Sequence, residues 1–159
     1  MRHLLLLVFL CTTIACKELP LPLQAESNIV LPQVRYTPSD LRKLSWLAGA
    51  WQGTDGNKTL RQLFLFHDSN TLEVMDLSAG SGSASSFFVW SEGRYYFGPN
   101  RDWVVTWIGE KDVRFDPARA GVQPMSWVRQ NDRQWHLVRH APNGSTQEVL
   151  MERREEMQP

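Results

Sequence analysis

The chain has 159 residues, 42% of them hydrophobic and 21% charged, and its 17 basic side chains balance 17 acidic ones. Such a balance provides no large positive field to hold nucleic acid through its phosphates, so nucleic-acid binding is excluded. Both cysteines lie within the first 16 residues. The remainder of the chain therefore has no disulfide, no catalytic thiol and no cysteine-ligated metal site.

The first 15 residues have the pattern of a secretory signal peptide. A basic Arg2 precedes an apolar run over residues 4–10, and small or polar residues follow up to Cys16. The segment 4–15 has 12 residues, whereas a helix needs about 20 to span a bilayer. The sequence predicts an export signal here and not a membrane-spanning helix.

Residues 13–16, Thr-Ile-Ala-Cys, resemble the lipobox of bacterial lipoproteins, in which a cysteine after a small residue is acylated and becomes the new N-terminus. The resemblance implies cleavage before Cys16, a lipid on Cys16, and a location on the periplasmic side of the cell envelope. Lys17 after the cysteine favours the outer membrane over the inner one. Cleavage near Ala25, which would leave a soluble periplasmic protein, is the alternative.

Residues 16–38 are predicted to form the lipidated cysteine and a flexible tether. The segment 17–38 contains four prolines and little periodicity, which is typical of an extended chain. Fully stretched, it would reach about 70 Å at roughly 3.3 Å per residue. The tether would hold the following domain, residues 39–155, near a membrane without pressing it against the surface.

The domain is predicted to begin with one short helix and to continue as a β meander. Hydroxyl and carboxyl residues at 37–40 precede leucines at spacing three, which indicates a capped helix that ends before Gly49. About ten short runs of apolar, aromatic and β-branched residues follow, mostly separated by two to six turn residues. Connections this short favour antiparallel pairing. The predicted strands are 50–54, 59–67, 71–78, 86–91, 94–98, 103–109, 112–115, 123–130, 134–140 and 146–152.

Ten strands in a small domain must close on themselves or split into two sheets. Closure removes the unpaired edges that invite aggregation. We therefore predict an all-β fold, an antiparallel up-and-down meander of about ten strands closed into a barrel. A two-sheet sandwich is the alternative.

Residues 46–53, Trp-Leu-Ala-Gly-Ala-Trp-Gln-Gly, lead from the helix into the first strand. This Gly-x-Trp pattern, with the meander behind it, resembles the calycin group of lipocalins, fatty-acid-binding proteins and nitrobindin-like barrels. The resemblance implies that Trp51 packs over the closed end of the barrel against a late arginine, either Arg139 or Arg153. Heme is a minor alternative, because Asp55-Gly56 departs from the glycine pattern of nitrobindin-like proteins. No cofactor is predicted.

Seven tryptophans are the strongest feature of the composition. Because side chains two apart in a strand share a face, many of these rings are predicted to lie together inside the barrel. They would form either a solid core or the wall of an apolar pocket in which Arg129 or Arg139 holds a ligand carboxylate or phosphate. The predicted face contains Phe88, Trp90, Trp103, Val105, Trp107, Met125, Trp127, Trp135 and Leu137. The predicted ligand-binding residues are Trp90, Trp107, Met125, Trp127, Arg129 and Arg139.

No pattern predicts catalysis or a metal site. Residues 80–83, Gly-Ser-Gly-Ser, lack the spacing of a nucleophilic serine elbow. His136 and His140 share a strand face about 13 Å apart, too far to hold one metal. We therefore predict a non-enzymatic, lipid-anchored envelope protein whose barrel binds a small apolar or amphipathic ligand.

A non-enzymatic interaction protein with a filled barrel core is the alternative function. The strand faces opposite the predicted inner set are also apolar, and a large exposed apolar patch usually marks a partner surface. The partner would be an envelope protein or a second copy of this chain. These opposite-face residues are Phe87, Val89, Val104, Ile108 and Val128.

Overall fold

The structure, a computed structural model, describes residues 33–78 and 83–155. The predicted signal peptide, Cys16 with its lipid, most of the predicted tether and most of the Gly-Ser turn at 80–83 lie outside these ranges. Within them, no helix is long and apolar enough to cross a membrane.

A 3-10 helix, η1, covers Pro38–Leu47. A 3-10 helix has three residues per turn, so the leucines at 41, 44 and 47 lie along one side, and all three are buried. Asp40 closes the N-terminus, because its carboxylate accepts hydrogen bonds from the backbone N–H of Thr37 at 2.7 Å and from its hydroxyl at 2.8 Å. The predicted capped helix is confirmed, with Thr37 and Asp40 forming a capping box at its start.

In the described residues, eleven strands form one antiparallel sheet that closes almost completely into a barrel. Consecutive strands pair except β4 with β5, and β1 also pairs with β11. The predicted all-β antiparallel meander is thereby confirmed. The strands are β1 (Gly49–Asp55), β2 (Lys58–Phe66), β3 (Leu72–Asp76), β4 (Ala84–Phe87), β5 (Val89–Ser91), β6 (Arg94–Phe97), β7 (Trp103–Ile108), β8 (Asp112–Pro117), β9 (Met125–Asn131), β10 (Gln134–His140) and β11 (Thr146–Arg154).

The eleventh strand arises because the chain changes its pairing partner at Phe88. The sequence predicts one strand over 86–91, whereas β4 pairs with β3 and β5 pairs with β6. Phe88 is buried between them, its backbone N–H donates to the carbonyl of Leu72 at 2.9 Å, and its ring lies 4.9 Å from that of Phe97. The stretch 84–91 therefore bridges the two edges of the sheet.

Aromatic rings fill the centre of the barrel. The ring centroid of Trp127 lies 4.7 Å from that of Phe115, 5.3 Å from Phe97 and 5.6 Å from Trp135. A further contact joins Trp127 to Phe64 at 5.4 Å with the ring planes nearly perpendicular. Tilted and edge-to-face pairs are the arrangements that aromatic rings prefer. Around Trp127, the described interior is a solid core.

Trp107 does not share the inner face, so that part of the predicted face is wrong. A β-bulge at Thr106 shifts the alternation in β7, and Trp107 is 54% exposed on the outer face opposite Arg114. A bulge inserts one unpaired residue and so reverses the side that the following residues face. Trp90 lies opposite the buried Tyr95, but it is at the barrel rim and is 40% exposed.

Candidate functional site

The two arginines predicted to hold a ligand's polar group contact carboxylates of the chain. Arg139 donates from Nη1 to Asp55 Oδ2 at 2.7 Å, which joins β10 to the last residue of β1. Arg129 donates from Nη2 to Oδ1 of Asp132. In the register of β9 and β10, Arg139 lies opposite Met125. The two arginines stand at opposite ends of this strand pair, so the structure does not bring them together.

The three predicted tryptophans are also separated. Trp127 is enclosed in the core, and Trp107 lies outside, where its indole N–H donates to Asp112 Oδ1 at 3.0 Å. Trp90 lies at the rim of the barrel beside the start of η1. Of the predicted ligand-binding set, only Trp90 lines a described cleft.

Trp51 packs at the helix end of the barrel against Arg153. The guanidinium carbon of Arg153 lies 4.4 Å from the Trp51 ring centroid. Arg153 also donates to the carbonyls of Ala48 at 2.7 Å and Trp46 at 3.0 Å. The late arginine implied by the calycin resemblance is thus Arg153, whereas Arg139 lies elsewhere in the barrel.

A cleft of about 710 Å³ opens outside the barrel at this same end. It lies between the extended segment 33–36 and the β5–β6 hairpin. Small-molecule sites commonly have volumes of about 300 to 1,000 Å³, so the cleft is large enough for a ligand. Its lining residues are Gln33, Val34, Arg35, Tyr36, Trp90, Glu92, Gly93, Arg94 and Tyr96.

Hydrogen bonds fix the walls of this cleft. The backbone N–H of Tyr36 donates to the carbonyl of Gly93 at 2.7 Å, and the Trp90 indole N–H donates to the carbonyl of Tyr36 at 3.1 Å. The Tyr95 hydroxyl donates to the carbonyl of Pro38 at 2.7 Å. The segment 33–36 is therefore attached to β5, to the β5–β6 turn and, through its continuation at Pro38, to β6.

Burial perturbs two phenols beside the cleft. It raises the pKa of both Tyr36 and Tyr95 to about 12, and the negative charge of Asp40 adds to the shift in each case. The two rings lie 6.3 Å apart. Both phenols are therefore neutral at physiological pH and act as packing groups, with a hydrogen-bond donor on Tyr95.

A polar cluster on the outer face of β2 to β4 resembles a catalytic set only in its residue types. Ser85 donates its hydroxyl proton to Glu73 at 2.6 Å, and His67 contacts the other oxygen of Glu73 at 2.7 Å. The bonds from Ser85 and then His67 hold the pKa of Glu73 below its usual range. Since the carboxylate lies between the serine and the imidazole, the histidine does not reach the hydroxyl proton that a general base would remove.

Comparisons with protein-family models, with curated proteins and with solved structures find no match to this chain. The barrel is compatible with the calycin group on three grounds: its antiparallel topology, the short helix at one end, and the stacking of Arg153 on Trp51. The described residues contain no cluster of three or more metal-ligating side chains.

Proposed function

We propose that this chain is a lipid-anchored, non-enzymatic binding protein of the bacterial cell envelope that holds a small amphipathic molecule. The ligand would occupy the cleft beside Trp90 and not the barrel centre. The observation that carries this proposal is the contrast between the two regions. Aromatic rings fill the space around Trp127, while about 710 Å³ is open beside an exposed tryptophan.

Trp90 supplies a direct test of binding. We expect the tryptophan fluorescence of the mature chain to change on titration with fatty acids, sterols or aromatic compounds. Trp90→Phe should abolish most of that change, because its indole lines the cleft. Trp107→Phe is the matched control, since Trp107 is also exposed but lies on β7 outside the cleft. No fluorescence change with any ligand, or equal loss in both variants, would contradict the proposal.

The lipid anchor is supported by the lipobox-like residues 13–16 and has its own test. Cells fed a clickable palmitate analogue should label the wild-type chain and the Cys11→Ser variant, because the residue predicted to be acylated is Cys16. Cys16→Ser should lose the label and leave the membrane fraction. Recovery of the wild-type chain as a soluble periplasmic protein would favour cleavage near Ala25.

An interaction protein is the second candidate, favoured by large apolar side chains exposed on the outer face. Trp107 is 54% exposed, and Val128 and Leu150 are each 39% exposed. In the sheet, His136 of β10 pairs with Val128 of β9 on one side and with Leu150 of β11 on the other. A photocrosslinker at position 107 that traps one specific envelope protein or a homodimer in intact cells would support this function, whereas random labelling would oppose it.

A further inference from the structure

We infer that the cleft beside Trp90 selects an anion, a single carboxylate or phosphate group on an apolar body, and that Arg35 and Arg94 bind that group. This inference rests on the proposed function and specifies the ligand's chemistry. It depends on three features of the cleft: its unpaired guanidinium groups, the tight turn that presents Arg94, and a second, more apolar cleft that shares the Trp90 indole.

The first feature is positive charge without a partner. Within the described ranges, neither Arg35 nor Arg94 has a carboxylate within 4.0 Å, although both line the cleft. Arg129 and Arg139, by contrast, contact Asp132 and Asp55. A guanidinium group matches the fork geometry of carboxylate and phosphate, so the cleft arginines are the ones available for an external anion.

The second feature is the local backbone that presents Arg94. Ser91 pairs with Arg94 across a two-residue turn in which Glu92 and Gly93 both have positive φ, 51° and 84°. This tight turn fixes the first residue of β6 against β5. Arg35 is placed alongside, because its Cγ would lie 3.6 Å from a Cβ at Gly93. Arg94 therefore starts from this hairpin, and the stem of Arg35 lies against its turn.

The third feature is a place for the apolar body. Trp90 also lines a second cleft of about 370 Å³, whose walls include Pro38, Phe87, Phe88 and Val89. The indole N–H of Trp90 is already bonded to Tyr36, so a ligand meets its ring and not its polar atom. An amphipathic molecule fits this arrangement with its head at the arginines and its tail along the indole.

Glu92 is the opposing charge at the cleft. Its carboxylate has no cationic partner within 4.0 Å among the described residues, and it lines the same cleft as the arginines. The two arginines outnumber it, so the local charge remains positive. Glu92→Gln should therefore tighten anion binding.

The test compares three ligands that have the same twelve-carbon alkyl tail and differ in the head group: dodecanoate, dodecyl phosphate and dodecanol. Binding is measured by calorimetry on the full mature chain held in phosphatidylcholine nanodiscs. We expect both anions to bind at least about tenfold more tightly than the alcohol, since tenfold is about 1.4 kcal/mol and a charge-assisted hydrogen bond contributes at least about that much. The preference should shrink as salt is added.

Variants separate the contribution of Arg35 and Arg94, which we call the anion clamp, from the contribution of the rest of the cleft. Arg35→Gln with Arg94→Gln should bring the anions to about the affinity of dodecanol and leave dodecanol unchanged, since only the charge-assisted bonds are lost. Arg61→Gln is the matched control, because Arg61 is exposed on β2 and does not line the cleft. Unchanged near-ultraviolet circular dichroism would show that each variant is folded.

The outcomes distinguish this inference from the proposed function. Equal binding of all three ligands by the wild type would overturn the anion clamp and keep the binding function. Failure of all three to bind would overturn both. Phosphatidylglycerol discs identify the source of the anion. A dodecanoate affinity that falls more for the wild type than for the double arginine variant indicates a competing lipid headgroup at the arginines, whereas an equal fall, which the negative surface alone produces, indicates a free ligand.

Discussion

Arg153 connects the last strand to the helix and to a turn. Its guanidinium donates to two carbonyls at the C-terminal end of η1 and, through Nε, to the carbonyl of Asp132 at 3.1 Å. Carbonyls in the last turn of a helix have no partner within the helix. The same group stacks on Trp51. One side chain thus satisfies three backbone acceptors and covers the indole that closes the barrel.

We expect Arg153→Lys to destabilise the fold by about 2 kcal/mol, because an ammonium group cannot reproduce the planar fork and leaves acceptors unsatisfied. Urea unfolding of the folded domain measures the free energy. Arg154→Lys is the control, since Arg154 is exposed and only approaches Glu152 at 3.7 Å. Equal losses in the two variants would show that the bonds made by Arg153 contribute nothing specific.

The β5–β6 turn carries a residue that does not suit its backbone. A two-residue turn with positive φ at both positions favours Asn-Gly, and here Glu92 precedes Gly93. Glu92→Asn should stabilise the protein by about 0.5–1 kcal/mol, because asparagine tolerates the left-handed conformation better than glutamate. The midpoint of urea unfolding should rise. Glu110→Asn, in the β7–β8 turn, should leave it unchanged, and a rise there as well would point to a general charge effect.

Strand alternation predicts most elements but not the places where it is interrupted. β10 has the predicted bounds, because its apolar residues alternate and a polar turn precedes it. The bulge at Thr106 and the partner change at Phe88 have no sequence signature, since both depend on neighbouring strands. For this reason, Trp107 could not be placed from the sequence.

The candidate cleft was visible in the sequence only through Trp90. Arg94 and Tyr96 alternate with the buried Tyr95 and Phe97, so they lie on the outer face, where no interior pocket would be sought. Arg35 falls within the stretch predicted as tether. The cleft exists because segment 33–36 packs back on the β5–β6 hairpin, a long-range contact that local periodicity does not encode.

The barrel as a whole is stabilised by its aromatic centre. Trp127→Ala should cost about 3–5 kcal/mol, because it leaves a cavity among rings that cannot collapse into the space. Trp107→Ala should cost less than about 1 kcal/mol, since that side chain is mostly exposed and loses one hydrogen bond to Asp112. Chemical unfolding compares the two variants. Similar costs would indicate that the interior is loosely packed.

Two phenols at the cleft end of the barrel, Tyr36 and Tyr95, should determine how the stability of the protein falls at alkaline pH. The pKa of Tyr36 and of Tyr95 is raised from 10.0 to about 12 by burial, with Asp40 adding to it. Because folding favours the neutral phenol, its contribution to stability is complete below pH 10.0 and is lost as pH rises through about 12. Urea unfolding at a series of pH values should therefore show a decline confined to this window.

Phenylalanine variants distinguish what each of the two phenols contributes to this pH dependence. The Tyr36 hydroxyl is buried, the backbone N–H of Ile108 faces it, and the pair does not meet ordinary hydrogen-bond geometry. Tyr36→Phe should therefore keep its stability at neutral pH and reduce the alkaline decline. Tyr95→Phe should also reduce the decline, but at a cost of about 1 kcal/mol at neutral pH, because the bond to Pro38 is lost. Tyr96→Phe, on the outer face, is the control. If Tyr96→Phe reduced the decline equally, the alkaline sensitivity would not belong to the contacts between segment 33–36 and the barrel.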